Sequence, residues 1–201
     1  MKVFKLNDPY SSRYAEPWGD SKYWEWSECP VCKRDLRGKK KTEGFVIEWH
    51  TSSRIGDFSW VPGGEIIISQ RVKDVFEEHN VTGCRYCPVE MINPEDSEDR
   101  IVVKLPYECP PLYDMIITGS GGNAAEESGI KIDEKCDYCG SVSYLDWEIE
   151  YLVIDLNNGD GSDIFKCIET GNCTFAIEKV KDLIEANKFT NIKCIPIKVK
   201  E

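Results

Sequence analysis

Arg71 to Val89 reads RVKDVFEEHNVTGCRYCPV, and Lys179 to Ile197 reads KVKDLIEANKFTNIKCIPI. The second stretch lies over the first without a gap, at an offset of 108 residues, the separation of Lys179 from Arg71. Val72, Lys73, Asp74, Glu77, Thr82 and Pro88 meet Val180, Lys181, Asp182, Glu185, Thr190 and Pro196 as identities, and most other apolar positions match in kind. A self-match of this kind marks a duplicated unit. In the first copy Ile68, Val72, Val75, Phe76 and His79 fall at helical spacing, as do Val180, Leu183 and Ile184 in the second, and Ser69 is placed to cap the first helix. Each helix is followed by a short apolar segment, Gly83 to Val89 and Ile192 to Val199, with a proline near its end as an edge strand has.

Working outward, the same duplication carries a cysteine motif. Cys29-Pro-Val-Cys32 recurs as Cys136-Asp-Tyr-Cys139, Cys136 standing 107 residues after Cys29. The expected architecture is therefore α+β: two related strand-helix-strand halves, residues 1–117 and 129–201, in one compact domain spanning 1–201. The Gly, Ser and Ala-rich stretch 118–128 (TGSGGNAAEES) is expected to be a loop joining them.

Zinc takes four tetrahedral ligands, and a CxxC turn offers two thiolates to one ion. Cys29, Cys32, Cys136 and Cys139 are thus expected to close the coordination of one structural zinc, leaving no position for a catalytic water. The competing chemistry is a thiol oxidoreductase, because Trp26 lies close before the first CxxC. Against it, Pro30 directly follows Cys29, and Gly38 with its basic neighbours interrupts the helix that would activate the thiolate. Cys84 and Cys87 form a third CxxC that, with Cys109, Cys167, Cys173 or Cys194, offers a second metal site. The repeat opposes this: Cys84 falls on Ile192 and Cys87 on Ile195, so these read as packed free thiols.

Other features read as structure. Asp155 to Asp163 (DLNNGDGSD) lacks carboxylates at the first and last calcium-loop positions and reads as a polar turn, a candidate contact segment at most. Gly119 to Gly122 is no phosphate loop, and Trp60 to Gly64 reads as a turn before a strand at Ile66 to Ile68. The histidines, His50 and His79, belong to no catalytic set, and the expectation is that the protein is not an enzyme. Trp18, Tyr23, Trp24 and Trp26 form either a recognition face or a core cluster.

With 41% hydrophobic and 30% charged residues, the 201-residue chain can bury a core without disulfide staples. No apolar run approaches the roughly 20 residues of a membrane span, and Met1 to Tyr10 alternates instead of building a signal core, so the expected location is the reducing cytoplasm. The net charge of −11 opposes nucleic acid and favours a basic partner. Arg34, Arg37 and Lys39 to Lys41 make a basic run that a zinc-ribbon nucleic-acid accessory or regulatory protein would use; a solvated loop is the preferred reading.

These residues resemble a family: the bacterial double-CXXCG motif proteins, which include immunity proteins against toxins exchanged between neighbouring cells. The similarity runs from an N-terminal strand and Cys29-Pro-Val-Cys32 through Trp60, Ile68-Ser-Gln-Arg-Val72 and Cys136-Asp-Tyr-Cys-Gly140 to Asp163-Ile-Phe165 and Ile195-Pro-Ile-Lys-Val199. Lys33 stands where the family motif has glycine. The resemblance implies a paired zinc knuckle and a toxin-antitoxin type of protein-protein interaction: a cytoplasmic protein that binds and neutralises a cognate toxin, with no nucleic acid or membrane as partner.

Overall fold

A computed structural model describes residues 1–19, 24–40, 45–62, 64–92, 103–105, 108–145 and 148–200. One six-stranded sheet has the order β2 (Glu16–Gly19), β5 (Phe45–His50), β8 (Cys84–Met91), β9 (Leu112–Ile117), β7 (Ile66–Ser69), β6 (Phe58–Trp60). The other has the order β10 (Asn123–Ala124), β13 (Val153–Asp155), β16 (Lys193–Val199), β1 (Val3–Asn7), β15 (Thr174–Ile177), β14 (Ile164–Phe165). Two hairpins stand apart as two-stranded sheets: β3 (Trp24–Glu28) with β4 (Asp35–Lys40), and β11 (Ile132–Lys135) with β12 (Val142–Tyr144).

This corrects the expected α+β arrangement of strand-helix-strand halves. The protein is mostly β-sheet, the sheets curl into a half-barrel and a near-barrel, and the only α-helices among the described residues are α1 (Gln70–Glu78) and α2 (Glu178–Ala186). Helical period shows plainly over nine residues, whereas strands of two to four residues such as β2, β10 and β14 are too short to show an alternation. The expected loop 118–128 also holds structure: it contains β10 and a 3-10 turn at Glu126–Ser128. Its glycine content answers to close packing, since a Cβ on Gly121 would lie 2.2 Å from the Phe165 ring.

The helices carry the chain across a central strand. α1 leads from β7 to β8 over the intervening β9, and α2 leads from β15 to β16 over β1, so each pair of flanking strands runs parallel. Ser69 caps α1, its hydroxyl accepting from the Val72 amide. The inward faces of both helices and both sheets meet in one buried cluster containing Leu6, Met115, Val72, Phe76, Val180 and Ile184. Phe189 meets Phe58 and Phe76 edge-on within it and Phe58 is tilted against Phe76, with ring centroids 6.2 to 6.5 Å apart. The outward face of each sheet has its own cluster, one around Ile47 and Ile67, the other around Ile154 and Phe175.

Across the shared core the two units exchange a polar clasp. Asp57, just before β6, accepts from the Thr190 amide and hydroxyl at 2.9 Å each, while its own amide donates to the Thr190 hydroxyl at 2.9 Å. Asp163, just before β14, mirrors it: it accepts from the Thr82 amide at 3.0 Å and donates its amide to the Thr82 hydroxyl at 3.0 Å. Each carboxylate also meets a cation at corresponding positions of the repeat, Arg71 at 3.2 Å and Lys179 at 2.7 Å. Thr82 and Thr190 are identities in the self-match because each closes the other unit's clasp.

Replacing Asp57 with Ala leaves the half-buried Thr190 amide and hydroxyl without their acceptor, and the expected loss is about 1 kcal/mol of unfolding free energy. Urea denaturation of Asp57→Ala, Thr190→Val and the double variant checks this: the double loss should fall below the sum of the single losses.

Candidate metal centre

Both CxxC turns sit at hairpin tips built by the same local bonds. In the first, β3 and β4 close with Glu28 opposite Asp35; the Cys29 amide donates to Arg34 O at 2.9 Å and the Lys33 amide to Cys29 O at 3.0 Å. In the second, Lys135 lies opposite Val142, the Cys136 amide donates to Ser141 O at 2.9 Å and the Gly140 amide to Cys136 O at 2.8 Å. The chain must turn through the left-handed region just after each second cysteine, with φ of 60° at Lys33 and 72° at Gly140. Glycine takes that conformation freely, and Lys33 adopts it against its side chain's preference.

The two tips meet thiol to thiol. Cys29 Sγ lies 3.9 Å from Cys136 Sγ, Cys32 Sγ lies 3.8 Å from Cys139 Sγ, and all four sulfurs fall within 4.8 Å of one another. A tetrahedral ion with metal–sulfur bonds of about 2.3 Å sets its sulfurs about 3.8 Å apart, and a disulfide needs about 2.05 Å. The four cysteines are therefore placed to hold a metal ion. Cys29 and Cys136 form the buried side of the cluster, and Cys32 and Cys139 are half-buried.

Arg34, read from sequence as part of a solvated basic run, ties the tips together. Its guanidinium donates to Glu134 at 2.8 Å and to the Ser143 hydroxyl at 2.8 Å, both on the opposite hairpin. Nothing in the sequence marks Arg34 for that role beyond its place directly after Lys33. Arg37, Lys39 and Lys40, and Trp24 and Trp26, lie in strands whose side chains fall outside the described residues, and Tyr23 and Lys41 lie outside them altogether; Trp18 is exposed.

The site polarises its thiols. The Cys32 amide, 3.5 Å from Cys29 Sγ, leads the influences that lower the Cys29 thiol to about 6. The Cys139 amide likewise lowers Cys136. At Cys139 the Ser141 amide pulls downward, but burial and the surrounding thiols outweigh it and push the group up to about 11. No helix follows Cys32, whose turn leads straight into β4, so the arrangement that activates a helix N-terminal redox thiol is absent among the described residues.

The third CxxC is built differently. Cys84 and Cys87 lie within the single strand β8, three residues apart, so their side chains point to opposite faces of the sheet and cannot chelate one ion. Cys84 packs on the shared core with Tyr86 beside it, and Cys87 is buried. Burial pushes Cys167 up to about 12 and Cys194 and Cys109 to about 11, as for packed neutral thiols. His50 is buried 3.5 Å from Glu48, and His79 ends α1, its ring nitrogen bonded to Val75 O.

No protein-family model matches the chain, and no curated protein matches it.

Protons compete with metal for these thiolates. With Cys139 protonated at neutral pH, metal uptake releases protons and apparent affinity declines as pH falls from 8; below about 6, where Cys29 also takes up its proton, the decline steepens. Competition titrations between pH 5 and 8 test the sign and the break. A Cβ at Gly140 would meet nothing within 4 Å, so Gly140→Ala probes backbone conformation alone and should weaken metal binding by about 1–2 kcal/mol. Lys33→Gly should act in the opposite direction in the same titration.

Proposed function

We propose that the chain is a zinc-stapled, non-catalytic binding protein: a cytoplasmic immunity protein that occludes a basic bacterial toxin. The observation that carries this reading is the closed set of four thiols at the tips of two hairpins, each a two-stranded sheet of its own. All-thiolate tetrahedral donors suit zinc, and a filled shell holds structure and leaves no open position for chemistry. An isolated two-stranded hairpin is marginal in water, so the ion would set the relative position of both.

The net charge of −11 supports a basic protein partner reached by steered association. The resemblance to double-CXXCG proteins supports the immunity role, and Lys33, the departure from that motif, takes the same left-handed conformation as Gly140. No helix among the described residues is long and apolar enough to cross a membrane.

Protein purified without chelator should carry one zinc per chain by native mass spectrometry, and Cys136→Ser/Cys139→Ser should carry none. Co-expression with the toxin encoded beside its gene should restore growth for the wild type and fail for the double variant. A wild type that holds zinc yet neither rescues nor binds that toxin refutes the immunity role while leaving the staple intact.

A further inference from the structure

The two tips present their thiols unequally. Cys29 and Cys136 are buried, with 0% and 8% exposure, while Cys32 and Cys139 are half-buried. Cys32, with the deeper Cys136, borders an open groove of about 720 Å³ between the tips, so a small solute reaches Cys32 first. Arg34 and Lys135 along that groove are matched by Glu134 and Asp137, a balance that neither draws nor repels an uncharged reagent. Cys139 Sγ, on the opposite tip, lies 3.8 Å from Cys32 Sγ, and Cys29 Sγ lies 3.9 Å from Cys136 Sγ. Closing either contact to the length of a disulfide takes a movement of about 1.8 Å. The hairpins can supply it, because each is a two-stranded sheet of its own and no residue of β11 or β12 belongs to the three buried clusters.

We propose that Cys32 and Cys139 are a modification site for hydrogen peroxide, whose reaction joins the tips by cross-tip disulfides, a covalent staple in place of the metal. The Cys32 thiolate attacks one peroxide oxygen, the O–O bond breaks, and a sulfenic acid and a hydroxide result. The Cys139 thiolate attacks that sulfur, the S–S bond forms and a second hydroxide leaves. Two protons from solvent turn both hydroxides into water, so each peroxide takes up two electrons and leaves one disulfide. An ion held by the four thiols loses two ligands in this reaction and departs with its charge unchanged. A second peroxide joins Cys29 to Cys136 in the same way. The alternative is pairing within one turn, but joining Cys29 to Cys32 would draw the buried Cys29 sulfur off the Cys32 amide 3.5 Å from it. This deepens the staple reading above; it rests on the four-thiol geometry and not on the immunity role.

The test treats the full-length, metal-loaded chain with hydrogen peroxide in rising amounts. Remaining thiols are then alkylated and the peptides mapped by mass spectrometry without reductant. Equimolar peroxide should give the Cys32–Cys139 link and release the metal to a colorimetric chelator, and excess should add Cys29–Cys136. Dithiothreitol should restore the four thiols and metal binding. The other six of the ten cysteines should stay alkylatable, and their equal oxidation refutes a specific site. In Cys139→Ser the Cys32 sulfenic acid loses its partner, so dimedone should label Cys32 more than in the wild type; unchanged labelling overturns the role of Cys32. In the wild type, predominant links within the turns, sulfinic acid in place of disulfide, or no reaction each overturns the proposal while the metal reading stands. A chain that holds no metal yet forms both cross-tip links refutes the zinc staple and leaves this site standing.

Discussion

Four thiols drawn from positions 107 residues apart meet only if the two units keep one fixed relation, and the reciprocal aspartate–threonine clasp enforces it. Each carboxylate accepts from the backbone just beyond the other unit's helix, so neither unit can rotate without breaking these bonds. The shared apolar core supplies the adhesion, which is non-directional, and the clasp supplies the register. Beyond that register the hairpins need only be short for their tips to converge.

An ion held by the four thiols would divide the labour with the body. The three buried clusters lie in the sheets and helices and owe nothing to the metal, whereas β11 has no buried residue of its own. Arg34 bridges the tips through Glu134 and Ser143, but Glu134 is largely exposed and such a pair is weak alone. Metal binding would thus be coupled to order of the β11–β12 hairpin and only loosely to stability of the body.

The self-match was legible because nine-residue amphipathic helices and paired cysteines leave strong marks on a sequence. Both helices lie at the offset read from Arg71 and Lys179, and the cysteines at Cys29, Cys32, Cys136 and Cys139 converge as their spacing implied. The sheets were not legible. β14 and β10 are two residues each, and β13 pairs in parallel with a strand some forty residues later, which leaves no local trace. Gly121 read as flexible because composition cannot distinguish a glycine that bends from one that makes room for Phe165. Arg34 was hidden because its partners are a hundred residues away.

The first strand joins the last-formed sheet. Residues 1–117 were expected to make one half, yet β1 lies between β15 and β16, where β9 lies between β7 and β8 in the other sheet. Val3 pairs with both Ile177 and Ile197. During translation, β1 leaves the ribosome roughly 170 residues before either neighbour and has no native partner meanwhile, while β2 to β9 already contain every strand of their own sheet. The nascent chain therefore passes through a half-finished stage with an apolar strand, Val3 and Leu6 included, still unpaired, and a ribosome that stalls before residue 199 leaves that strand without its full cover.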